Sequence, residues 1–174
     1  IRLTGCDLRC TYCDSAHAFY GGTRRSIGEI LDAIRPHQTR HVLVTGGEPL
    51  LQHTTPDLVE ALNVDGYRVS IETHGAAALD RVIGRARLVM DIKTPDSGMF
   101  REIMLENALR LTPTDELKFV IASRADFEWA HLQVKKLRDN PDFRSPEILF
   151  SPAGLSANAP GGAHAKHITP TELA

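Results

Sequence analysis

Cysteine is nearly absent from this 174-residue chain: there are three, all between Cys6 and Cys13, and no other position carries a thiol. Three cannot pair off and neighbours this close are poorly placed to bridge, so a disulfide framework is excluded. Charge of one sign is also missing. Twenty Lys and Arg stand against 22 Asp and Glu, a formal net charge of −2 that offers no basic footprint for nucleic acid. No apolar run is long enough to cross a membrane and no signal peptide is present, so a soluble cytoplasmic chain is expected. An initiator methionine is lacking too, and Ile1-Arg2-Leu3 reads as part of a strand, so the chain reads as a fragment. What is present, 42% hydrophobic and 24% charged residues, is the composition of a globular domain with a substantial core.

Short apolar segments alternate with amphipathic ones along the chain. Ser26-Ile27-Gly28-Glu29 is a capping-box pattern opening a helix whose Ile27, Ile30, Leu31 and Ile34 share a face, with Pro36 at its end. His41-Val42-Leu43-Val44 reads as a strand that breaks at Thr45-Gly46-Gly47-Glu48-Pro49. Thr55-Pro56-Asp57 starts a second helix, which Gly66 stops. Strands follow at Tyr67 to Ile71, Leu88 to Ile92, Glu116 to Ile121 and Glu147 to Phe150. Helices are expected at Ala77 to Ile83, Glu102 to Leu111, and from Ser123 to about Arg138.

This alternation implies α/β architecture with parallel strands joined by crossovers. Polar and glycine residues gather after the strands, where a β/α barrel collects its chemistry, so a partial, incomplete barrel is the expected fold. A Rossmann sheet is the weaker alternative, because no G-x-G-x-x-G follows the first strand. Residues 1–152 form the expected core. From 153 to 174 the chain reads as a loop, rich in Gly, Ala and Pro as far as Lys166, with the start of a helix from Ile168.

The spacing Cys6-x3-Cys10-x2-Cys13 suits three irons of a cubane cluster and leaves the fourth iron without a protein ligand. A Cys3His zinc site completed by His17 is the competing reading. On the same loop face, Gly46 and Gly47 remove side chains where backbone must approach a ligand closely, and Glu48 offers a carboxylate to an ammonium group. That pair of features fits an amino-acid-like ligand.

With these residues the chain resembles the radical S-adenosylmethionine (SAM) superfamily, through Cys6, Cys10, Cys13, the aromatic Tyr12 and Gly46-Gly47-Glu48-Pro49. Within it, the 7-carboxy-7-deazaguanine synthase family is resembled. Cys13-Asp14-Ser15, Ile71-Glu72-Thr73-His74-Gly75, Met90 to Gly98, Leu117 to Ile121 and Phe150-Ser151-Pro152 carry that likeness, in order, over residues 1–152. The resemblance implies a [4Fe-4S] cluster on Cys6, Cys10 and Cys13 with SAM chelating its open iron. Gly47 and Glu48 would meet the amino group of SAM, Tyr12, Cys13 and Asp14 would flank it, Glu72 would touch its ribose, and Asp91, Ile92 and Lys93 would meet its nucleoside and carboxylate. Ser15 would help hold Mg2+ through oxygen. Arg2 and Thr45 would bind the pterin substrate.

The implied reaction converts 6-carboxy-5,6,7,8-tetrahydropterin to 7-carboxy-7-deazaguanine and ammonia, for queuosine biosynthesis, with electrons from a reductant such as flavodoxin. No catalytic residue beyond those holding cofactors is expected, and a homodimer is. Segments beyond either end of this chain would contribute to the substrate site, so this stretch is expected to have little activity of its own. A glycyl-radical activase shares the cysteine spacing, but Ser15 and the segments at 72–75 and 91–98 stand against it. A relative that binds the pterin without catalysis is also compatible with the residues.

Overall fold

A computed structural model describes residues 1–154 of the chain. Six strands, β1 (Arg2–Leu3), β2 (His41–Gly46), β3 (Arg68–Thr73), β4 (Arg87–Ile92), β5 (Glu116–Ile121) and β6 (Glu147–Pro152), form one sheet in consecutive order. Every pairing is parallel, as in Val44 opposite Ile71 and Asp91 opposite Lys118. Among the described residues β1 and β6 are the two edges, so the sheet is an open β/α barrel as expected.

Among the described residues four α-helices connect the strands: α1 (Ile27–Ile34), α2 (Thr55–Val64), α3 (Ile103–Ala108) and α4 (Arg124–Arg138). Their ends follow local chemistry. Ser26 and Glu29 complete the capping box reciprocally, Ser123 accepts from the Asp126 backbone, and Gly66 follows α2 at φ +82°.

Burial alternates along β3, β4 and β5 and over most of β2. Val44, Ile71, Leu88, Met90, Ile92, Leu117, Phe119 and Ile121 point to one face, where they are wholly buried with Val59, Leu62, Met104 and Ala130 of the helices. Phe119 stacks on Phe150 at 5.6 Å, and Phe127 of α4 meets Phe150 edge-on at 5.5 Å. Leu43, Thr45, Glu72, Val89, Asp91, Lys118 and Val120 point the other way, none of them fully buried.

The expected helix over Ala77 to Ile83 is absent. Turns closed by Val82 and Ile83 donating to the Leu79 carbonyl occupy that stretch, between Gly75 and Gly84, both at φ +73°. Seven residues are too few to nucleate a helix cheaply. The Asn107 amide also captures the carbonyls of Gly75 and Ala77, at 2.8 and 3.3 Å, and Leu79 and Val82 bury themselves in the core instead. The loop and helix start expected from 155 onward lie outside the described residues.

Candidate active site

The loop after β1 carries the three cysteines and is fastened at both ends to later parts of the chain. Its Gly5 N–H donates to the Ala18 carbonyl at 2.8 Å, and the Gly5 carbonyl accepts from Glu48 N–H at 2.7 Å. Thr11 donates from its backbone to the Ser97 carbonyl and from its hydroxyl to the Asp96 carbonyl, at 3.1 and 2.7 Å. Arg9 bonds the carbonyls of Cys6 and Leu8, both at 2.7 Å, with its guanidinium over the Phe19 ring. Buried Asp126 receives Thr94 Oγ1, Asp96 N–H and Ala122 N–H, which fixes the loop that Thr11 leans on.

Together these bring twelve expected residues around one cavity of about 620 Å³. Cys6, Cys10 and Cys13 line one side, with Tyr12, Asp14 and Ser15; Arg2, Thr45 and Gly47 come from the β1 and β2 ends; Glu72, Asp91 and Lys93 close the far wall. Glu48 and Ile92 do not line it. The Glu48 carboxylate is spent on Leu50 N–H, Thr73 Oγ1 and His74 N–H, all within 2.9 Å, and Ile92 faces the helices. His17 stands exposed in the turn Ala16–Ala18 outside the lining, so the Cys3His zinc reading loses its fourth ligand.

Lys118 and Val120 also line the cavity. Both sit in the Leu117 to Ile121 segment whose alternation marks them as facing away from the core, a signal that assigning no side-chain role to that strand overlooks.

Burial pushes the Cys6 thiol up, and pushes Cys10 up to about 11. Lys93 opposes the shift at Cys10. Burial works against the charge on Lys93, but Asp91 above all, with Cys10 and Tyr12, holds its ammonium well above the usual lysine range. Its Nζ lies 2.7 Å from Asp91 Oδ2, while Asp91 Oδ1 is buried with no partner among the described residues. Arg2 donates to Ser15 Oγ at 3.3 Å, Ser15 donates to Asp14 Oδ1 at 2.8 Å, and Thr45 donates to Glu72 Oε2 at 2.8 Å.

The donor set fits a cluster and an amino-acid-bearing cofactor. Three soft thiols converge with no fourth, so one iron of a cubane stays open. Gly47 lies so close to Gly5 O and Cys6 Cβ that any side chain would separate the two loops. Asp91 offers an unpaired oxygen to a ligand hydroxyl.

Comparisons with known proteins agree. A family model described as the radical SAM superfamily matches residues 1–110. The chain is 38% identical over 178 residues to the 7-carboxy-7-deazaguanine synthase of Koribacter versatilis, covering all of this chain and 77% of that protein. It is 36% identical over 153 residues to the synthase of Methanospirillum hungatei (87% of this chain, 62% of that one) and 41% over 133 residues to that of Chlorobaculum tepidum (75% and 60%). The crystal structure of QueE from Escherichia coli superposes with a TM-score of 0.59 at 22% identity, over 86% of this chain and 72% of that one, a likeness of fold. The three relatives are thus spanned over 60 to 77% of their length. No helix among the described residues is long and apolar enough to cross a membrane. The chain belongs to the radical SAM superfamily and, within it, to the 7-carboxy-7-deazaguanine synthase family.

Proposed function

We propose that the chain forms the core of a lyase that converts 6-carboxy-5,6,7,8-tetrahydropterin, with loss of ammonia, to 7-carboxy-7-deazaguanine, the product its relatives are named for. The observation that carries this reading is the single cavity shared by the three thiols, the strand-end pair Asp91–Lys93 and the polar chain Arg2–Ser15–Asp14. When bound, a reduced [4Fe-4S] cluster with SAM supplies a 5′-deoxyadenosyl radical able to abstract hydrogen from the pterin.

The side chains hold and orient. Cys6, Cys10 and Cys13 would present thiolates to the cluster, and the Lys93 ammonium, which opposes the rise at Cys10, would offset their charge and meet the cofactor's carboxylate. Asp91 Oδ1 would accept from a nucleoside hydroxyl, with Glu72 on the neighbouring strand. With the Glu48 carboxylate spent, the backbone at Gly47 is left for the amino group, and Tyr12 and Asp14 border the same ligand.

Ser15 and Asp14 offer adjacent oxygens to Mg2+, a donor type that cation prefers. Arg2, whose guanidinium lies 3.3 Å from Ser15 Oγ, would be placed to meet the substrate carboxylate, with Thr45 hydrogen-bonding the pterin ring. Leu8, Phe19, Val89 and Val120 form the apolar part of the lining and exclude water. No acid–base pair is needed.

The same reading places residues 1–152 as the core and 153–174 as the start of a C-terminal segment. It makes the protein a cytoplasmic homodimer without nucleic-acid or membrane partners, reduced by a small electron carrier such as flavodoxin. The test is an anaerobic assay of the full-length protein with cluster, SAM, Mg2+ and the carboxytetrahydropterin, read by mass spectrometry. The deazaguanine acid is the expected product. Formation of 5′-deoxyadenosine without it would remove the substrate assignment and leave the radical chemistry.

A further inference from the structure

One polar chain joins three loops at the wall of the cavity. Asp7, beside Cys6, accepts from Arg101 Nη1 at 2.8 Å through Oδ2 and lies 2.9 Å from His74 Nε2 through Oδ1. His74 Nδ1 accepts from the Ala76 N–H at 3.0 Å, which places the ring proton on Nε2, aimed at Asp7. Glu48 Oε2 lies 3.4 Å from the same nitrogen, and that carboxylate also takes the His74 N–H. The His74 side chain is only 5% exposed. Asp7 and Glu48 are the immediate neighbours of the cavity-lining Cys6 and Gly47, and His74 reaches the cavity wall itself beside Thr73.

We propose that His74 is a positioning residue that clamps the cysteine loop to the glycine loop, holding the Cys6 thiolate in register with the Gly47 backbone. Resting on the reading of a cluster with SAM in this cavity, the clamp sets where the amino-acid head on Gly47 falls relative to the iron that the cysteines leave open. The two loops have no slack. Gly47 packs against Gly5 and Cys6, and Cys6 Sγ, Asp7 and His74 offer atoms all within 4.8 Å of one another. A chelate with two teeth tolerates little displacement between its halves, and errors of about 1 Å at such sites cost on the order of a hundredfold. Cys6 and Gly47 are each held by backbone bonds as well, so losing the clamp should loosen their register before it loses the cluster.

The test uses His74→Leu, His74→Gln and Asp7→Ala in the anaerobically reconstituted chain, measuring iron per chain and SAM affinity from the change SAM produces in the electron paramagnetic resonance spectrum of the reduced cluster. His74→Leu should keep the wild-type iron content while binding SAM about tenfold more weakly or worse, as for outer-sphere changes at metal sites. His74→Gln, whose amide nitrogen reaches Asp7, should recover most of that loss. Wild-type affinity in iron-loaded His74→Leu overturns the clamp. Should His74→Leu not fold or load iron, Asp7→Ala decides, its residue being partly exposed: weakened SAM binding at full iron content supports the clamp, and unchanged binding overturns it. A wild-type chain that takes up no cluster, or whose spectrum ignores SAM, removes the cofactor reading and the clamp together.

Discussion

The two faces of one sheet differ in what they tolerate. Facing the helices, Ile71, Met90, Ile92, Leu117, Phe119 and Ile121 are fully buried and wholly apolar. Facing the cavity, the same strands show Ser70, Glu72, Asp91 and Lys118, with Val89 and Val120 between them. Parallel sheets are usually covered on both faces and apolar on both. Here one face builds the structure and the other is a vessel, and a shift of one residue in any strand would exchange the two.

The contrast is broken most completely at the cysteines. Replacing any one of Cys6, Cys10 or Cys13 by Ala should abolish stable cluster retention while the fold survives, checked by iron and sulfide analysis beside far-ultraviolet circular dichroism. Full iron in any of the three would mean that the ligand set is wrong. Adjacent residues of β5 then compare the faces directly. Phe119→Ala should cost about 3–5 kcal/mol in urea unfolding, whereas Val120→Ala, on the cavity face, should cost about 1 kcal/mol or less. Equal losses would erase the distinction.

Asp126→Ala strands the Asp96 and Ala122 N–H groups, while the Thr94 hydroxyl keeps the Val120 carbonyl, and should cost roughly 2–3 kcal/mol while loosening the loop under Thr11. The smallest effect is at an exposed ion pair away from the cavity. Arg110 bonds Asp80 and holds its carboxyl below the ordinary 3.8. A lowered carboxylate contributes stability above its unfolded value and loses it as pH falls through the folded one. Arg110→Leu should therefore lower stability slightly at neutral pH and not at all well below pH 3.8. A difference that persists in acid would point to packing by the arginine stem.

Much of this was written locally. The capping box at Ser26, the cap at Ser123, the proline at the start of α2 and the glycine after it act within a turn, so they could be read and the structure keeps them. The cysteine spacing and the Gly46-Gly47 pair are local as well. The stretch at 77–83 misled because its competitor is the Asn107 side chain, some 30 residues later. The turn of the Glu48 carboxylate away from the cavity was equally hidden, since its partners Thr73 and His74 come from the next strand. His74 itself stood in a noted segment without a role, because Asp7, its partner, is 67 positions away.

Consecutive strand order has a consequence for how the protein is made. Each new strand can dock on the one synthesised just before it, yet the cysteine loop, translated ahead of β2 to β6, waits for Asp96, Ser97 and Arg101, and its Tyr12 hydroxyl reaches the Val120 carbonyl across 108 positions. The cysteine loop therefore leaves the ribosome ahead of the segments that organise it. Nascent chains stalled before β5 should take up no stable cluster, and uptake by such short chains would show that the loop organises itself unaided. Iron insertion is in this sense a late checkpoint, available only to a chain that has already laid down most of its sheet.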